Sequence, residues 1–134
     1  MLRIDASLSM TKPFARLLLH AQAVLLLIGT LMPGSWREAL QDVSHSPFGL
    51  SSWAHFALFA GMSAVALLPP LRWSSLQVVL VGLALALLSE GLQFFAIERH
   101  PRWLDVGIDM AGLLAGLALA RAVYWLRSGQ GEHY

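Results

Sequence analysis

The fold is decided by a run of 23 residues at positions 104–126, LDVGIDMAGLLAGLALARAVYWL. An α-helix rises about 1.5 Å per residue, so a helix of this length is long enough to cross the ~30 Å hydrocarbon core of a bilayer. Its charged residues, Asp105, Asp109 and Arg121, lie toward its two ends and leave an uncharged stretch between them. The run therefore predicts a transmembrane helix.

Three more apolar runs precede it, at residues 14–32, 53–70 and 76–97. They hold 19, 18 and 22 residues, close to the ~20 that one crossing needs. Because backbone polar groups cannot stay unpaired in lipid, each run is predicted to form a spanning helix. Ser74 and Gln77 have the spacing of a capping box and predict where the third helix begins. The sequence thus predicts an all-α fold, an integral membrane four-helix bundle that forms one domain over the whole chain.

The composition agrees with a membrane location. The chain is 57% hydrophobic and 13% charged, whereas soluble globular chains carry roughly 25% charged residues. Too few charges are present to cover the surface of a small soluble enzyme, which excludes that class. The net charge of +1 shows no basic excess, so we expect membrane lipids and not nucleic acid as partners, and the oligomeric state stays open. The absence of cysteine excludes disulfides and thiol catalysis.

The basic residues predict the orientation of the bundle. Six lie on or near one side of the predicted spans and three on the other: Arg3, Lys12, Arg16, Arg72, Arg121 and Arg127 against Arg37, Arg99 and Arg102. Basic residues favour the cytoplasmic side, so both termini are predicted to be cytoplasmic (N-in/C-in). We expect the protein in the bacterial inner (cytoplasmic) membrane.

Polar residues inside the runs point to a site. His55, Glu90 and Asp109 are predicted to lie in the outer half of the bilayer, on three different helices. An isolated charge is costly there, so we expect these side chains to pair inside the bundle. Arg99 and Arg102, in the connection between the last two helices, are near enough to supply counter-charge. The outer half of the bundle is therefore predicted to enclose an outward-facing polar pocket.

The spacing along the helices supports this prediction. Glu90 and Gln93 are three residues apart and share a helix face. Asp105 and Asp109 lie on one stripe of the last helix, together with Gly112-x-x-x-Gly116. The two glycines are interpreted as packing positions, because they let another helix approach the backbone. The acidic face is then predicted to point inward. Asp105 has an alternative role as the N-cap of this helix.

Polar, aromatic and glycine residues form one pattern: His55-Phe56-x-x-Phe59, Glu90-x-x-Gln93, Arg99, Asp105, Asp109, Gly112 and Gly116. This pattern resembles the VanZ-like family. These are small four-helix membrane proteins, whose founding member is associated with resistance to the glycopeptide teicoplanin. The resemblance covers roughly residues 51–118. It implies that His55, Glu90, Gln93, Arg99 and Asp105 are the signature polar residues. Family members commonly have Asn where this chain has Asp109.

Three functions remain open at this point. In the first, the pocket binds a lipid headgroup or a lipid-linked cell-envelope precursor, with Arg99 on the phosphate and Glu90 and Asp109 forming a polar cage. The VanZ-like resemblance adds altered teicoplanin susceptibility to this hypothesis. In the second, His55 and Glu90 are the acid/base pair of a membrane enzyme acting on a lipid-linked substrate. In the third, the polar cluster only locks the bundle. No cofactor is expected, and no metal, because the chain shows no ligand spacing such as His-x-x-x-His.

Overall fold

The computed structural model describes residues 10–45 and 49–129, and all regular structure within these ranges is helical. The helices are α1 (Lys12–Leu31), α2 (Gly34–Ser44), α3 (Leu50–Leu67), α4 (Ser75–Leu92) with a short 3-10 turn at Gln93–Phe95, and α5 (Trp103–Gly129). Four of them, α1, α3, α4 with its turn, and α5, are long and apolar enough to cross a membrane. The predicted all-α, four-span fold is confirmed.

The helix ends follow local sequence signals. The predicted capping box is present: the Gln77 N–H donates to Ser74 Oγ at 3.2 Å, and the Ser74 N–H donates to Gln77 Oε1 at 3.0 Å. α3 begins and ends three residues earlier than expected. It stops at Leu67 because Leu68, which precedes Pro69, takes an extended conformation, as residues before proline favour.

Helix α2 was not predicted. Its sequence, GSWREALQDVS, is polar and covers only 11 residues, so a search for apolar runs passes over it. It follows Pro33, and its Gly34 N–H donates to the Ile97 carbonyl at 3.2 Å. The exposed Trp36 and Val43 give it the amphipathic character of helices at a membrane surface. The link between the first two spans therefore contains a helix, where only a short loop was expected.

Helix α5 begins at Trp103, earlier than an N-cap at Asp105 requires. The Asp105 N–H donates to the Arg102 carbonyl at 3.0 Å, which places Asp105 inside the first turn. The N-cap role considered for Asp105 is therefore wrong. An acidic side chain in the first turn still interacts favourably with the positive end of the helix dipole.

Helices α3 and α5 pack most closely. A Cβ atom added to Gly112 would overlap the Phe56 carbonyl, and one added to Gly116 would overlap the Ala60 carbonyl. Across the same contact, Ser63 Oγ donates to the Leu113 carbonyl at 3.0 Å. Close backbone approach and hydrogen bonds between helices are what hold membrane helices together. The α3–α5 pair is thus the centre of the bundle, and α1 and α4 pack around it.

The distribution of polarity is inverted relative to a soluble protein. Large apolar side chains such as Phe95, Trp103 and Trp125 are more than three-quarters exposed, whereas His55 and Asp109 are buried. A hydrocarbon solvent favours this arrangement, because it stabilises exposed apolar side chains and penalises exposed charges. The chain therefore has the surface of a membrane-embedded bundle.

Candidate functional site

The polar residues collect at one end of the bundle, here called the Arg99 end. It comprises the last turn of α1, helix α2, the first two turns of α3 and of α5, the end of α4 and the connection at residues 96–102. All six predicted ligand-binding residues lie at this end, and each is less than one-tenth exposed: His55, Glu90, Gln93, Arg99, Asp105 and Asp109. The opposite end, which holds the start of α1, is called the Lys12 end.

His55 and Asp109 form a buried pair between α3 and α5. The distance from His55 Nδ1 to Asp109 Oδ1 is 3.0 Å, and Asp109 is fully buried. The close approach at Gly112, which contacts the backbone of Phe56, brings the two side chains within reach. With Asp109 as a carboxylate acceptor, Nδ1 donates and Nε2 of a neutral imidazole keeps its lone pair. Nε2 is buried and has no hydrogen-bond partner among the described residues, so its lone pair is free to act as a base or an acceptor once a ligand reaches it.

Glu90 has a different set of partners. Its Oε1 accepts from Gln93 Nε2 at 2.7 Å, and its Oε2 accepts from the Arg102 N–H at 2.8 Å. Both carboxylate oxygens are thus engaged, and they attach the end of α4 to the start of α5. The structure pairs His55 with Asp109, and Glu90 with Gln93 and the backbone of Arg102. This arrangement suits Glu90 to hold the connection in place more than to transfer protons with His55.

Arg99 connects α1 to the rest of the site. One of its terminal nitrogens, Nη1, donates to the carbonyls of Gly29 and Thr30, both at 2.8 Å. These carbonyls belong to the last turn of α1, where helical partners are missing and a cation is favourable. Seventy positions separate Arg99 from Gly29, so no local pattern predicts the contact. Burial lowers the pKa of the Arg99 guanidinium, and the positive charge of Arg37 lowers it further, against the opposing charges of Asp105 and Glu90.

Arg37 on α2 joins the site, although the sequence assigned it only to an outer loop. With Arg99, His55 and Asp105 it lines a narrow space at the base of the site. The side chains around this space leave no room for a water-sized sphere. The signal that marks Arg37 is its place on a short amphipathic helix, which hydropathy alone does not reveal.

Arg37 and Arg99 also border a second, wider cleft. It has a volume of about 230 Å³, and its walls include Arg37, Arg99 and Arg102, with Glu38 and Glu98 beside them. Three cationic and two anionic side chains therefore border one surface cleft, which leaves it an excess of positive charge. A cleft of this kind is suited to an anion, because guanidinium groups bind phosphate and carboxylate oxygens through paired N–H donors.

Within residues 10–45 and 49–129, no three His, Asp or Glu side chains come together in a group that could hold a metal ion. The negative groups nearest His55 are balanced by Arg99 and Arg37, which are unfavourable neighbours for a bound cation.

No family model, curated protein or solved structure shows a significant match to this chain. The resemblance to the VanZ-like family therefore stays a prediction from the residues that carry it.

Proposed function

We propose that this protein binds an anionic, phosphate-bearing headgroup at the Arg99 end, presented by a membrane lipid or by a lipid-linked cell-envelope precursor. The observation that carries the proposal is the pair of guanidinium groups of Arg37 and Arg99, which border the same cleft from different elements. Burial lowers the pKa of Arg99, and repulsion by the like charge of Arg37 lowers it further. A bound anion would offset this repulsion.

Arg99 is prepared for such a ligand. Its Nη1 is held by two carbonyl groups of α1, so the guanidinium is positioned before a ligand arrives. Its buried Nε has no acceptor among the described residues. A buried donor without an acceptor costs about 1–3 kcal/mol, so a phosphate oxygen that reached Nε by displacing the surrounding side chains would gain a hydrogen bond there. Preorganised donors of this kind bind an anion with little loss of side-chain entropy.

The location suits a headgroup. Trp36, Trp53 and Trp103 are all exposed at the Arg99 end, and tryptophan rings favour the depth of the lipid headgroups. Phosphate groups of bilayer lipids and of lipid-linked precursors lie at that depth. The predicted orientation places this end outside the cytoplasm of a bacterial inner membrane, where precursors of the cell envelope are used. We extend the proposal to teicoplanin susceptibility on the basis of the VanZ-like resemblance alone.

The direct test is lipid retention. Protein purified in detergent is equilibrated with phosphatidylglycerol, polyprenyl phosphate or phosphatidylcholine, and retained lipid is counted by native mass spectrometry. We expect the phosphate monoester and phosphatidylglycerol to be retained over phosphatidylcholine. Arg37→Gln should lower their retention roughly fivefold, about the contribution of one basic side chain near a membrane surface. Arg127→Gln, an exposed arginine at the Lys12 end, is the matched control and should have no such effect.

Equal retention by Arg37→Gln and Arg127→Gln would overturn the assignment of the site. A parallel experiment addresses resistance: cells expressing the wild-type protein should show altered teicoplanin susceptibility, and cells expressing Arg37→Gln should not. Unchanged susceptibility in cells that express the folded wild-type protein would remove the antibiotic extension and leave the binding proposal standing.

A second candidate function rests on the His55–Asp109 pair. An imidazole oriented by a carboxylate at Nδ1, with Nε2 unpartnered, is the arrangement of a general base. It shares its narrow space with Ser51 and with the arginines proposed to hold phosphate. The enzyme hypothesis then takes Asp109, and not Glu90, as the partner of His55. Because this space is closed to water, hydrolysis would need the site to open.

Turnover separates the two functions. His55→Gln should lower hydrolysis of a lipid-linked phosphate by about 10²- to 10⁴-fold, the usual contribution of a general base, and should leave lipid retention unchanged. Lipid retention by the wild-type protein without any turnover would contradict the enzyme hypothesis and leave the binding function.

A further inference from the structure

A separate cavity lies at the Lys12 end, between α1, α3 and α4. Its volume is about 540 Å³, and most of its wall is apolar, including Ala23, Phe59, Met62, Val81 and Leu85. This volume is within the range of small-molecule sites. Its lining includes none of the six polar residues at the Arg99 end, so it is independent of the function proposed above.

The α1 wall of the cavity changes from charged to apolar along its length. Lys12, Arg16, His20 and Ala23 follow one another on one face of α1 and all line the cavity. From Lys12 to Ala23 the helix rises roughly 16 Å. The two basic residues are exposed at the mouth, and the wall becomes apolar with depth. Among the described lining residues there is no Asp or Glu to neutralise them.

The polar atoms near the mouth are partly held in place. His20 Nδ1 lies 2.6 Å from the Arg16 carbonyl, to which its N–H donates. Across the cavity, the backbone N–H of Trp73 donates to the Ala66 carbonyl at 2.8 Å, which holds the backbone of Trp73 at the cavity wall. The entrance is therefore a basic rim that continues into an apolar chamber.

An apolar cavity of this size is unfavourable when empty, because the side chains around it lose their packing contacts. Water is a poor filler, since it needs several polar partners, and few polar atoms line the chamber. In a bilayer, acyl chains are the apolar groups within reach. The cationic rim selects among them, because anionic lipids are attracted to basic side chains near the membrane surface.

We propose that this cavity binds one acyl chain of an anionic membrane lipid, whose headgroup contacts Lys12 and Arg16. The occupant has an apolar chain for the chamber and a negative charge for the rim. This lipid site lies at the opposite end of the bundle from the headgroup site bordered by Arg37 and Arg99.

Trp73 provides a direct reporter because it lines the cavity. Trp73 is 37% exposed, whereas the other four tryptophans are at least 53% exposed and are replaced by Phe: Trp36, Trp53, Trp103 and Trp125. The single-tryptophan protein is placed in phosphatidylcholine bilayers, and phosphatidylglycerol brominated on its acyl chains is titrated in. Bromine quenches tryptophan fluorescence on contact. We expect a saturable component at low mole fraction for phosphatidylglycerol, and weaker quenching, nearly linear in mole fraction, for brominated phosphatidylcholine.

Three variants identify the site. Arg16→Gln should raise the mole fraction for half-quenching by phosphatidylglycerol about fivefold, the effect of one basic residue. Ala23→Phe places a ring in the chamber and should remove the saturable component. Ala21→Phe, on the exposed face of the same helix, is the matched control and should preserve it.

Equal quenching curves for the two brominated lipids would overturn the proposal, and so would a saturable component that survives in Ala23→Phe. The Arg37-dependent part of lipid retention at the Arg99 end, taken as the difference between Ala23→Phe and Ala23→Phe with Arg37→Gln, shows whether the variant is folded and should be unchanged. If that retention is also lost, Arg16→Gln decides the question, because its exposed side chain contributes little to packing. A half-quenching point in Arg16→Gln equal to that of the wild type then counts against the lipid site.

Discussion

The two ends of the bundle are built in different ways. At the Arg99 end, buried side chains hydrogen-bond between elements that are distant in sequence, as Arg99 does with Gly29 and His55 with Asp109. The space among them is too narrow for water. At the Lys12 end, basic side chains are exposed around an apolar cavity of about 540 Å³. In a bilayer, burial of apolar surface does not drive helices together. Directional polar contacts between distant elements close the Arg99 end, whereas most of the cavity wall at the Lys12 end is apolar.

The largest effect should come from removing the guanidinium of Arg99, which holds α1 at the Arg99 end. Arg99→Met loses two charge-assisted hydrogen bonds and leaves the carbonyls of Gly29 and Thr30 unpaired. We expect the free energy of unfolding in mixed micelles to fall by about 3 kcal/mol. Arg127→Met, in the exposed last turn of α5, should change it by less than about 0.5 kcal/mol. Equal stability of the two variants would show that the closed end does not depend on Arg99.

The packing of α3 against α5 is tested at Gly112. Gly112→Ala places a methyl group against the Phe56 carbonyl and should lower the free energy of unfolding by about 2 kcal/mol, in the range for overpacking. Gly107→Ala is the control on the same helix, because a Cβ at that position meets open space. It should be neutral or slightly stabilising. A destabilisation as large in Gly107→Ala would assign the effect to backbone conformation and not to the α3–α5 contact.

A smaller effect is expected at Glu90. Glu90→Gln keeps one acceptor but loses the negative charge that accepts from Gln93 and from the Arg102 N–H. We expect a loss of about 1–2 kcal/mol in the free energy of unfolding, together with faster amide exchange at Arg102. Glu38→Gln, on the exposed face of α2, is the control. Amide exchange at Arg102 that stays at the wild-type rate would contradict the fastening role of Glu90.

The smallest change in the free energy of unfolding should occur at the Lys12 end. Ala23→Leu adds three carbon atoms next to the cavity, where space is available, so the free energy of unfolding should change by less than about 0.5 kcal/mol or rise slightly. The same measurement on Ser51→Leu, which lines the narrow space of the closed end, should show a loss of about 1–3 kcal/mol from overpacking. Similar losses in both variants would mean that the two ends are packed equally well.

The sequence predicted which polar residues gather at the Arg99 end, but not which of them pair. Charged and amide groups inside apolar runs are expensive, so Glu90, Gln93 and Asp109 stand out without any structural information. Which of them meet is a different question. Asp109 and Glu90 both lie in the outer half of the predicted spans, and only the approach of α3 to α5 decides that His55 pairs with Asp109.

Helix α2 illustrates the limit of hydropathy. Its residues are too polar and too few to register as a span, yet it brings Arg37 to the wall of the site. The cavity at the Lys12 end was likewise unpredicted. Read along the chain, Lys12 and Arg16 are ordinary basic residues at the start of a helix, and Ala23 is an ordinary residue of its apolar part. A cavity forms where neighbouring helices do not pack against one another, and this packing depends on all of their side chains together.

By itself, the sequence determined that this chain forms four spanning helices and that its few interior charges need partners, because the length of apolar runs and the cost of burying charge are local properties. Only the tertiary structure decided which partners those charges have, that Arg99 holds the end of α1, and that a chamber remains at the other end. These features depend on distances between helices, which close glycine contacts and hydrogen bonds between helices set together.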